Sequence, residues 1–359
     1  MDIMEYWEKD LSKKECLELF ENTENFFEIL KLADGMRREI VGDDVTYVVN
    51  RNINFTNVCV GDCKFCAFKV DKGDKEAYFL NPDHIAKKAL EAKKIGATEV
   101  CIQGGLHPDI DTYFQVEILK KVHEITKPYG DIHIHAFSPM EIKFAAENAG
   151  LDVKEALNIL YENGLNTMPG TAAEILDDEI RNELCPSKLS TNEWVKIVKT
   201  AHKIGIPTTS TMMYGHIEEY KHMVNHLFVI KEIQEETGGF TEFVPLSFMH
   251  KFAPIYNMGT SKGGTTGLED LKVYAISRIL FKDTLKNIQV SWVKLGLKMA
   301  QIALKCGAND FGGTLMEENI SKAAGAEYGV SMNSKEIRDA IIRIGRAPKE
   351  RNTLYEILE

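Results

Sequence analysis

Three cysteines crowded into eight residues form the strongest chemical signal in the sequence. Cys59, Cys63 and Cys66 follow a CxxxCxxC pattern, and the other four cysteines lie elsewhere in the chain. Thiolates at this spacing can bind one face of an iron–sulfur cluster, which is normally held by four cysteines. Three protein ligands leave one iron open to a small molecule, and an open coordination position is what a catalytic metal centre needs. The pattern therefore predicts a 4Fe–4S cluster on these three residues.

Structural zinc is the alternative for the same motif. A closed zinc site takes four ligands and usually shows a second CxxC or a pair of closely spaced histidines. The sequence has no such second pair, so the fourth ligand would have to be a distant single Cys or His. A zinc-stabilised barrel that acts as a binding or scaffold protein is thus the weaker, non-enzymatic hypothesis.

Further chemistry-bearing residues come directly after predicted strands. Gln103, Gly104 and Gly105 form a Gly-rich turn, although such a turn more often connects a strand to a helix than binds a ligand. Histidines at strand ends are candidates for binding substrate or moving protons. The candidate catalytic histidines are His107, His135, His216 and His250. No carboxylate pair or Ser/His/Asp arrangement is evident, so hydrolytic acid–base machinery is not indicated.

The elements that must position these residues alternate along the chain. Short apolar or β-branched runs are separated by amphipathic stretches of helical length. The runs are 45–55, 99–103, 132–137, 165–168, 207–213, 243–248, 288–291 and 308–311. This alternation predicts βαβ units and a parallel sheet, and eight units favour a (β/α)8 TIM-type barrel over an open doubly wound sheet. Active sites of such barrels lie at the C-terminal ends of the strands, where the motifs fall.

The domain organisation follows from the same reading. Residues 1–44 carry apolar side chains at helical spacing and predict a helical N-terminal cap. Residues 45–312 predict the barrel, and 313–359 predict a helical C-terminal extension. The total of 359 residues accommodates a barrel of roughly 250 residues with additions.

Composition excludes several classes of function. The chain has 43 Lys and Arg against 54 Asp and Glu, a net charge of −11, which argues against binding nucleic acid. No apolar run reaches the roughly 20 residues of a membrane span. The N-terminus lacks the basic and apolar regions of a signal peptide. We therefore expect a cytoplasmic protein without a membrane partner.

The cysteine motif, with Phe65 before its third Cys and a barrel strand before it, resembles that of the radical SAM enzymes. The resemblance extends over about residues 45–330. Its motifs are NRNINFTNVCVGDCKFCAF from Asn50, IQGGLHP from Ile102, HIHAFSPMEI from His133, MPGTAAEILDDEIR from Met168, CPSKLS from Cys185, TTSTMMYGH from Thr208 and PLSFMHKFAP from Pro245. The resemblance implies that the open iron binds S-adenosylmethionine (SAM), which an electron cleaves to methionine and a 5′-deoxyadenosyl radical.

The same resemblance implies roles for individual residues. The turn at 103–105 would receive the amino group of the methionine part of SAM. Glu174 and Lys188 would hold the ribose hydroxyls and the methionine carboxylate, and Arg181 is a second candidate for the carboxylate. Without the family, the acidic residue and the arginine are equally typical of a helix start and a helical charge pair.

Within the superfamily, the motif string is most similar to a subgroup of deazaflavin and menaquinone biosynthesis. It implies transfer of the 4-hydroxybenzyl group of L-tyrosine to 5-amino-6-(D-ribitylamino)uracil, on the route to FO and coenzyme F(420). The implied protein partners are an electron donor such as ferredoxin or flavodoxin and, in addition, FO synthase subunit 1. The enzymatic alternatives are aminofutalosine synthase, futalosine cyclase and FO synthase subunit 1 itself.

Overall fold

A ring of parallel β-strands forms the centre of the protein, seen in a computed structural model that describes residues 3–358. The strands of the ring are β1 (Asp44–Val48), β2 (Asn50–Asn54), β3 (Glu99–Gln103), β4 (His133–Ala136), β5 (Thr208–Tyr214), β6 (Phe240–Ser247) and β7 (Asp310–Gly313). A further strand, β8 (Ala347–Arg351), lies beside β1 at a sheet edge. Strand β1 continues almost directly into β2, so the two are halves of one barrel strand.

Parallel pairing can be followed all the way around this ring. Strand β2 pairs with β3, β3 with β4, β5 with β6, and β7 with β1. The segments 167–168 and 288–289 fill the two remaining positions, each with single parallel bridges to both neighbours. The predicted (β/α)8 barrel is therefore confirmed, with two of its eight strands reduced to bridges.

Helices connect the strands and cover the outside of the ring. They are α1 (Lys13–Glu21), α2 (Phe26–Val41), α3 (Pro82–Lys94), α4 (Thr112–Thr126), α5 (Pro139–Ala149), α6 (Val153–Glu162), α7 (Asp178–Leu184), α8 (Thr191–Ile204), α9 (Tyr220–Thr237), α10 (Pro254–Asn257), α11 (Gly267–Phe281), α12 (Trp292–Ala303), α13 (Asn319–Ala323) and α14 (Ser334–Ile342). Within the described part of the chain, no helix combines the length and hydrophobicity needed to span a bilayer.

A capping motif in the sequence determines where helix α5 begins. The same motif also holds a loop at the barrel mouth. Ser138 caps the helix, and Glu141 completes the capping box by accepting the Ser138 backbone N–H at 2.8 Å. The second carboxylate oxygen of Glu141 accepts the N–H of Gly104 at 2.9 Å. A helix-start motif thus also fixes the Gly-rich turn after β3.

The C-terminal segment departs from the sequence prediction of helices alone. Strand β8 pairs in parallel with β1, from Ala347 opposite Asp44 to Arg351 opposite Val48. The segment APKER lacks the β-branched or aromatic side chains that signal a strand, and its proline is tolerated because β8 lies at a sheet edge. The segment forms a strand because it pairs with the backbone of β1, which is about 300 residues earlier in the chain and cannot be inferred from the local sequence.

Residues of this C-terminal segment close the N-terminal end of the barrel. Arg351 donates to Asp310 at 3.0 Å and to Glu242 at 3.2 Å, and Thr353 donates to Glu99 at 2.7 Å. All three carboxylates stand at or near the starts of barrel strands. Burial raises the pKa of Glu242, an effect that Arg351 opposes. The end of the barrel opposite the mouth is therefore filled by a buried charge network.

Replacing Arg351 tests this closure. Arg351→Ala leaves Asp310 and Glu242 buried without their cation, and we expect a loss of about 3–5 kcal/mol in the free energy of unfolding. Lys349→Ala, two residues away on the same strand, should change it by less than about 0.5 kcal/mol. Urea unfolding of the two variants makes the comparison. Equal stabilities would contradict the role assigned to the network.

Candidate active site

A cavity of about 430 Å³ occupies the barrel and its mouth. It collects most of the residues that the sequence singles out. Those that line it are Cys59, Cys63, Phe65, Cys66, Gln103, Gly104, Gly105, His135, Glu174 and Lys188. Residues up to 129 positions apart in the chain thus face one enclosed space.

The three cysteines lie on one irregular loop between β2 and α3. All are free thiols of intermediate exposure. The N–H of Gly61 points at the sulfur of Cys59, with 3.4 Å between N and Sγ. Burial raises the pKa of the Cys63 thiol to about 12, although the charge of Lys188 opposes the shift. The loop therefore presents three uncommitted sulfur donors to one cavity.

Close contacts hold this cysteine loop against its neighbours. The N–H of Asp62 donates to Ser187 Oγ at 3.1 Å, and the Ser187 N–H donates back to the Asp62 carboxylate at 3.1 Å. The N–H of Lys64 donates to the carbonyl of Leu184 at 2.9 Å. The segment after α7, which carries Lys188, is thereby fixed beside the cysteines.

Glycine is required in the turn after β3 because the cysteine loop packs directly on it. A Cβ on Gly105 would lie 2.3 Å from the carbonyl oxygen of Val58, and one on Gly104 would lie 2.7 Å from the ring of Phe55. Both glycine N–H groups donate within the protein, to Thr56 and Glu141. Among the three carbonyls of 103–105, that of Gly104 accepts no hydrogen bond from any described residue. The turn therefore offers a carbonyl acceptor to a ligand that donates.

An ion pair between Lys188 and Glu174 lines the cavity beside the cysteine loop. Lys188 Nζ lies 2.6 Å from Glu174 Oε1, with the two side chains only 16% and 13% exposed. Burial alone would raise the pKa of Glu174, but the charge and hydrogen bond of Lys188 hold it below its usual value. The same ammonium stands 5.0 Å from the ring centre of Phe65. A charged pair thus lies within reach of the cysteine loop.

The backbone of Glu174 has an unusual conformation. Its φ of +46° is in the left-handed region, which a residue with a side chain seldom adopts. Its carbonyl accepts the N–H of Met213 at 2.8 Å, which ties the loop to β5. Such strain persists only where surrounding contacts enforce it, and it is concentrated at functional sites.

Arg181 does not line the cavity, which argues against the predicted contact with a methionine carboxylate. Its buried guanidinium donates to backbone carbonyls of Leu189 at 2.8 Å, Ile175 at 3.1 Å and Ala172 at 3.1 Å, and also to Ala173. These carbonyls flank Glu174 and Lys188 in sequence. Arg181 therefore positions the segments that carry the ion pair, and the helical charge pair considered from sequence is not formed either.

His135 is the single histidine among the described residues that line the cavity. Its Nδ1 lies 2.8 Å from the hydroxyl of Thr167. Burial lowers the pKa of His135 to about 4, against the opposing charge of Glu99. The imidazole is therefore neutral at pH 7 and suits hydrogen bonding to a substrate better than proton donation.

The other three candidate histidines face away from the cavity, so their predicted catalytic role does not fit their placement. His107 accepts the N–H of Asp109 at 3.2 Å and stacks on Phe79. Both ring nitrogens of His216 are used by backbone groups, at 3.0 and 2.8 Å. His250 packs its ring against Tyr256. A position just past a strand end does not decide whether a side chain turns inward or outward.

Some cavity residues escaped the sequence reading. Asn50, Asn52 and Asn54 line the cavity from alternate positions of β2, and Lys294 lines it from the start of α12. The amide oxygen of Asn54 is buried without a partner in the described structure. The alternation NRNIN was a visible sign that one face of this strand meets a polar lumen.

Comparison with known proteins shows which family the chain belongs to. Residues 53–230 match the Radical SAM superfamily, and residues 237–359 match the CofH/MqnC C-terminal region. The 5-amino-6-(D-ribitylamino)uracil–L-tyrosine 4-hydroxyphenyl transferase of Methanocaldococcus jannaschii is 73% identical over the whole of both chains. The protein of the same name from Methanococcus aeolicus is 73% identical over 98% of each chain. The chain belongs to this family of radical SAM transferases.

Solved structures support the fold of the 4-hydroxyphenyl transferase family. Methylornithine synthase (PylB) superposes with a TM-score of 0.72 at 18% identity, covering 96% of this chain and 95% of that one. The FeFe-hydrogenase maturase HydG from Carboxydothermus hydrogenoformans gives 0.75 at 15% identity, covering 98% and 79%. At these identities the likeness concerns the fold alone.

Membership of the transferase family settles several sequence-based hypotheses. The resemblance to radical SAM enzymes is confirmed, and the non-enzymatic zinc barrel does not fit a transferase family. A radical SAM domain implies a 4Fe–4S cluster and SAM as cofactors. The boundary between the two matched regions, near residues 230–237, lies in the C-terminal half of α9, inside the predicted barrel of 45–312.

Proposed function

We propose that this protein transfers the 4-hydroxybenzyl group of L-tyrosine to 5-amino-6-(D-ribitylamino)uracil, in the biosynthesis of FO and coenzyme F(420). The observation that carries the proposal is the 73% identity, over the full length of both chains, to a relative named for these two substrates. In the net reaction the Cα–Cβ bond of tyrosine breaks, 2-iminoacetate leaves, and the benzyl carbon joins carbon 5 of the uracil.

The donor set in the cavity fits the implied cluster. Cys59, Cys63 and Cys66 are the residues that would hold it, because all three are unpaired and face the same space from one loop. When bound, the cluster supplies one electron to SAM and so generates the 5′-deoxyadenosyl radical that starts the reaction. The chain's task is to fix the reactants in register and keep water away.

The residues around the cluster loop fit SAM by complementary chemistry. The carbonyl of Gly104 is suited to accept from the methionine ammonium. The Lys188 ammonium is suited to the methionine carboxylate, and the ionised carboxylate of Glu174 can accept hydrogen bonds from the ribose hydroxyls. Arg181 acts through the backbone that it holds and not through a contact with SAM.

Away from the cysteine loop, the cavity lining includes apolar and polar side chains. Met213, Val244, Leu246 and Phe248 line one part of the cavity and suit the aromatic ring of tyrosine. The asparagines of β2 also line the cavity and suit a polar uracil with a ribityl chain. The C-terminal network around Arg351 closes the far end against water.

Several expectations from the sequence stay predictions. They are the domain limits at 44 and 312, the electron donor of the ferredoxin or flavodoxin type, an association with FO synthase subunit 1, and the cytoplasmic location. The acidic charge of the chain remains the argument against a nucleic-acid partner.

Alanine replacement of each cluster cysteine tests the ligand set. Cys59→Ala, Cys63→Ala and Cys66→Ala should each abolish the visible absorption of the reconstituted cluster, together with cleavage of SAM. The other cysteines nearby provide matched controls, since Cys101 lines the cavity and Cys185 is buried beside the Lys188 segment. Loss of the cluster in Cys101→Ala or Cys185→Ala would overturn the three-ligand assignment.

Lys188→Ala tests the proposed contact with the SAM carboxylate. A charge-assisted hydrogen bond contributes about 1.5–3 kcal/mol, so SAM affinity should fall roughly 10- to 100-fold. Iron and sulfide content should stay at the unaltered level. Lys143→Ala removes a lysine paired with Glu147 on the outer helix α5 and serves as the charge control. The test is the equilibrium affinity for SAM, measured in both variants. An unchanged affinity in Lys188→Ala would refute the contact.

The reaction itself is tested under strict anaerobiosis with the reduced, reconstituted enzyme. L-Tyrosine should be consumed only when SAM is present, with release of 5′-deoxyadenosine and glyoxylate from hydrolysis of 2-iminoacetate. The decisive product carries both the tyrosine ring and the mass of the ribityl-uracil. Formation of 5′-deoxyadenosine alone is not sufficient, because radical SAM enzymes also cleave SAM unproductively. Absence of the joined product, with turnover of a futalosine-pathway substrate instead, would move the assignment to that pathway.

A further inference from the structure

Lys294 is a cation of the cavity wall that has no partner. The other described cations that line the cavity are engaged: Lys69 lies 3.7 Å from Asp71, Lys188 2.6 Å from Glu174, and Arg351 3.0 Å from Asp310. The Lys294 ammonium makes no hydrogen bond or ion pair with any residue in 3–358. It is therefore the lining cation that remains free to meet a ligand.

The helical turn that carries Lys294 is separated from the rest of α12 by a break at Gly296. Gly296 interrupts the helix with a φ of +73°, and a Cβ there would lie 2.8 Å from the ring of Tyr328. The indole N–H of Trp292 donates to the carbonyl of Gly313 on β7 at 3.0 Å. The first turn, 292–295, is thus anchored to the barrel independently of the outer part of the helix.

Ser291 adds a second uncommitted donor on the same wall. It stands at the N-cap position of α12, where a serine hydroxyl usually accepts a backbone N–H, but it makes no capping hydrogen bond. It lines the cavity, and positions three apart share one side of a helical turn. Ser291 and Lys294 together present a hydroxyl donor and an ammonium, which can accept nothing. Their ligand must supply acceptor atoms and negative charge.

The surroundings of Lys294 leave its charge to be balanced by a ligand. Burial lowers the pKa of Lys294, while the more distant charges of Glu318 and Glu174 raise it. Glu318 is itself engaged by the N–H of Ser321 at 2.9 Å and by the amide of Asn52. The ammonium faces the cavity without a contacting anion, and a carboxylate brought by a substrate would form a charge-assisted hydrogen bond with it.

The reactants of the proposed function narrow the choice of anion. The uracil substrate carries no carboxylate, and the SAM carboxylate has Lys188 beside the cysteine loop. The remaining anion is the α-carboxylate of the amino-acid substrate. We propose that Lys294, assisted by Ser291, binds this α-carboxylate and thereby fixes the amino group and the Cα–Cβ bond of the amino acid within the cavity. The inference rests on the proposed function, since it takes tyrosine as the substrate.

Comparison of tyrosine with tyramine, which lacks only the carboxylate, tests the proposal directly. Equilibrium binding to the cluster-loaded enzyme without turnover is measured for the unaltered chain, Lys294→Met, Lys294→Arg and Ser291→Ala. The unaltered enzyme should prefer tyrosine over tyramine about 10- to 100-fold, as expected for a charged hydrogen bond. Lys294→Met should lose this preference, Lys294→Arg should keep much of it, and Ser291→Ala should reduce it a few-fold.

Controls separate a carboxylate contact from a general defect. Lys298→Met alters an exposed lysine of the same helix and should leave all affinities unchanged. Affinities for SAM and for the uracil substrate, and the iron content, should be unaffected in Lys294→Met. If Lys294→Met does not fold, a preference reduced a few-fold in Ser291→Ala supports the site, and an unchanged preference there opposes it.

Two failures of this experiment have different meanings. If the unaltered enzyme binds tyrosine and the Lys294→Met variant still prefers tyrosine over tyramine, the carboxylate site is wrong and the proposed function stands. An unaltered enzyme that neither binds tyrosine nor forms the joined product overturns the proposed function, and the assignment of Lys294 falls with it.

Discussion

The ion pair between Lys188 and Glu174 links the loops on which the chemistry of the cavity depends. Glu174 follows the fourth barrel position in a strained backbone conformation, and Lys188 lies beside Phe65 of the cysteine loop. Arg181 holds both segments from below through their carbonyls. A buried ion pair is costly unless its surroundings are arranged for it. Here that arrangement brings a cation and a carboxylate beside the cysteine loop, where we propose that they bind the methionine carboxylate and the ribose hydroxyls of SAM.

Closure of the barrel at its other end supports the same chemistry. Arg351 reaches from the C-terminal strand to carboxylates at the starts of β6 and β7, and Thr353 reaches Glu99 at the start of β3. The matched C-terminal region of the family, 237–359, therefore supplies three of the eight barrel positions, namely β6, the segment 288–289 and β7, as well as the floor. A radical-generating site gains from such a floor because a closed end limits the entry of solvent and small molecules that would divert reactive intermediates.

The proposed roles of the cavity cations give each carboxylate of the reactants a separate binding partner. We propose Lys188, beside the cysteines, for SAM, and Lys294, on the wall formed by α12, for the amino-acid substrate. Arg351 is neutralised by the floor carboxylates. In this proposal, each of the two amino-acid-like reactants has its own cation for its carboxylate.

The sequence by itself determined the barrel, the cluster motif and the family. Periodic strands, helix caps and CxxxCxxC act through neighbours that are close in the chain, so they are readable without coordinates. Tertiary structure alone decided that β8 is a strand, that Arg181 binds carbonyls, and that His107, His216 and His250 turn away while Lys294 turns inward. Each of these outcomes depends on groups far away in sequence. The direction in which a loop side chain points is set by the packing around it, and local pattern carries no record of that packing.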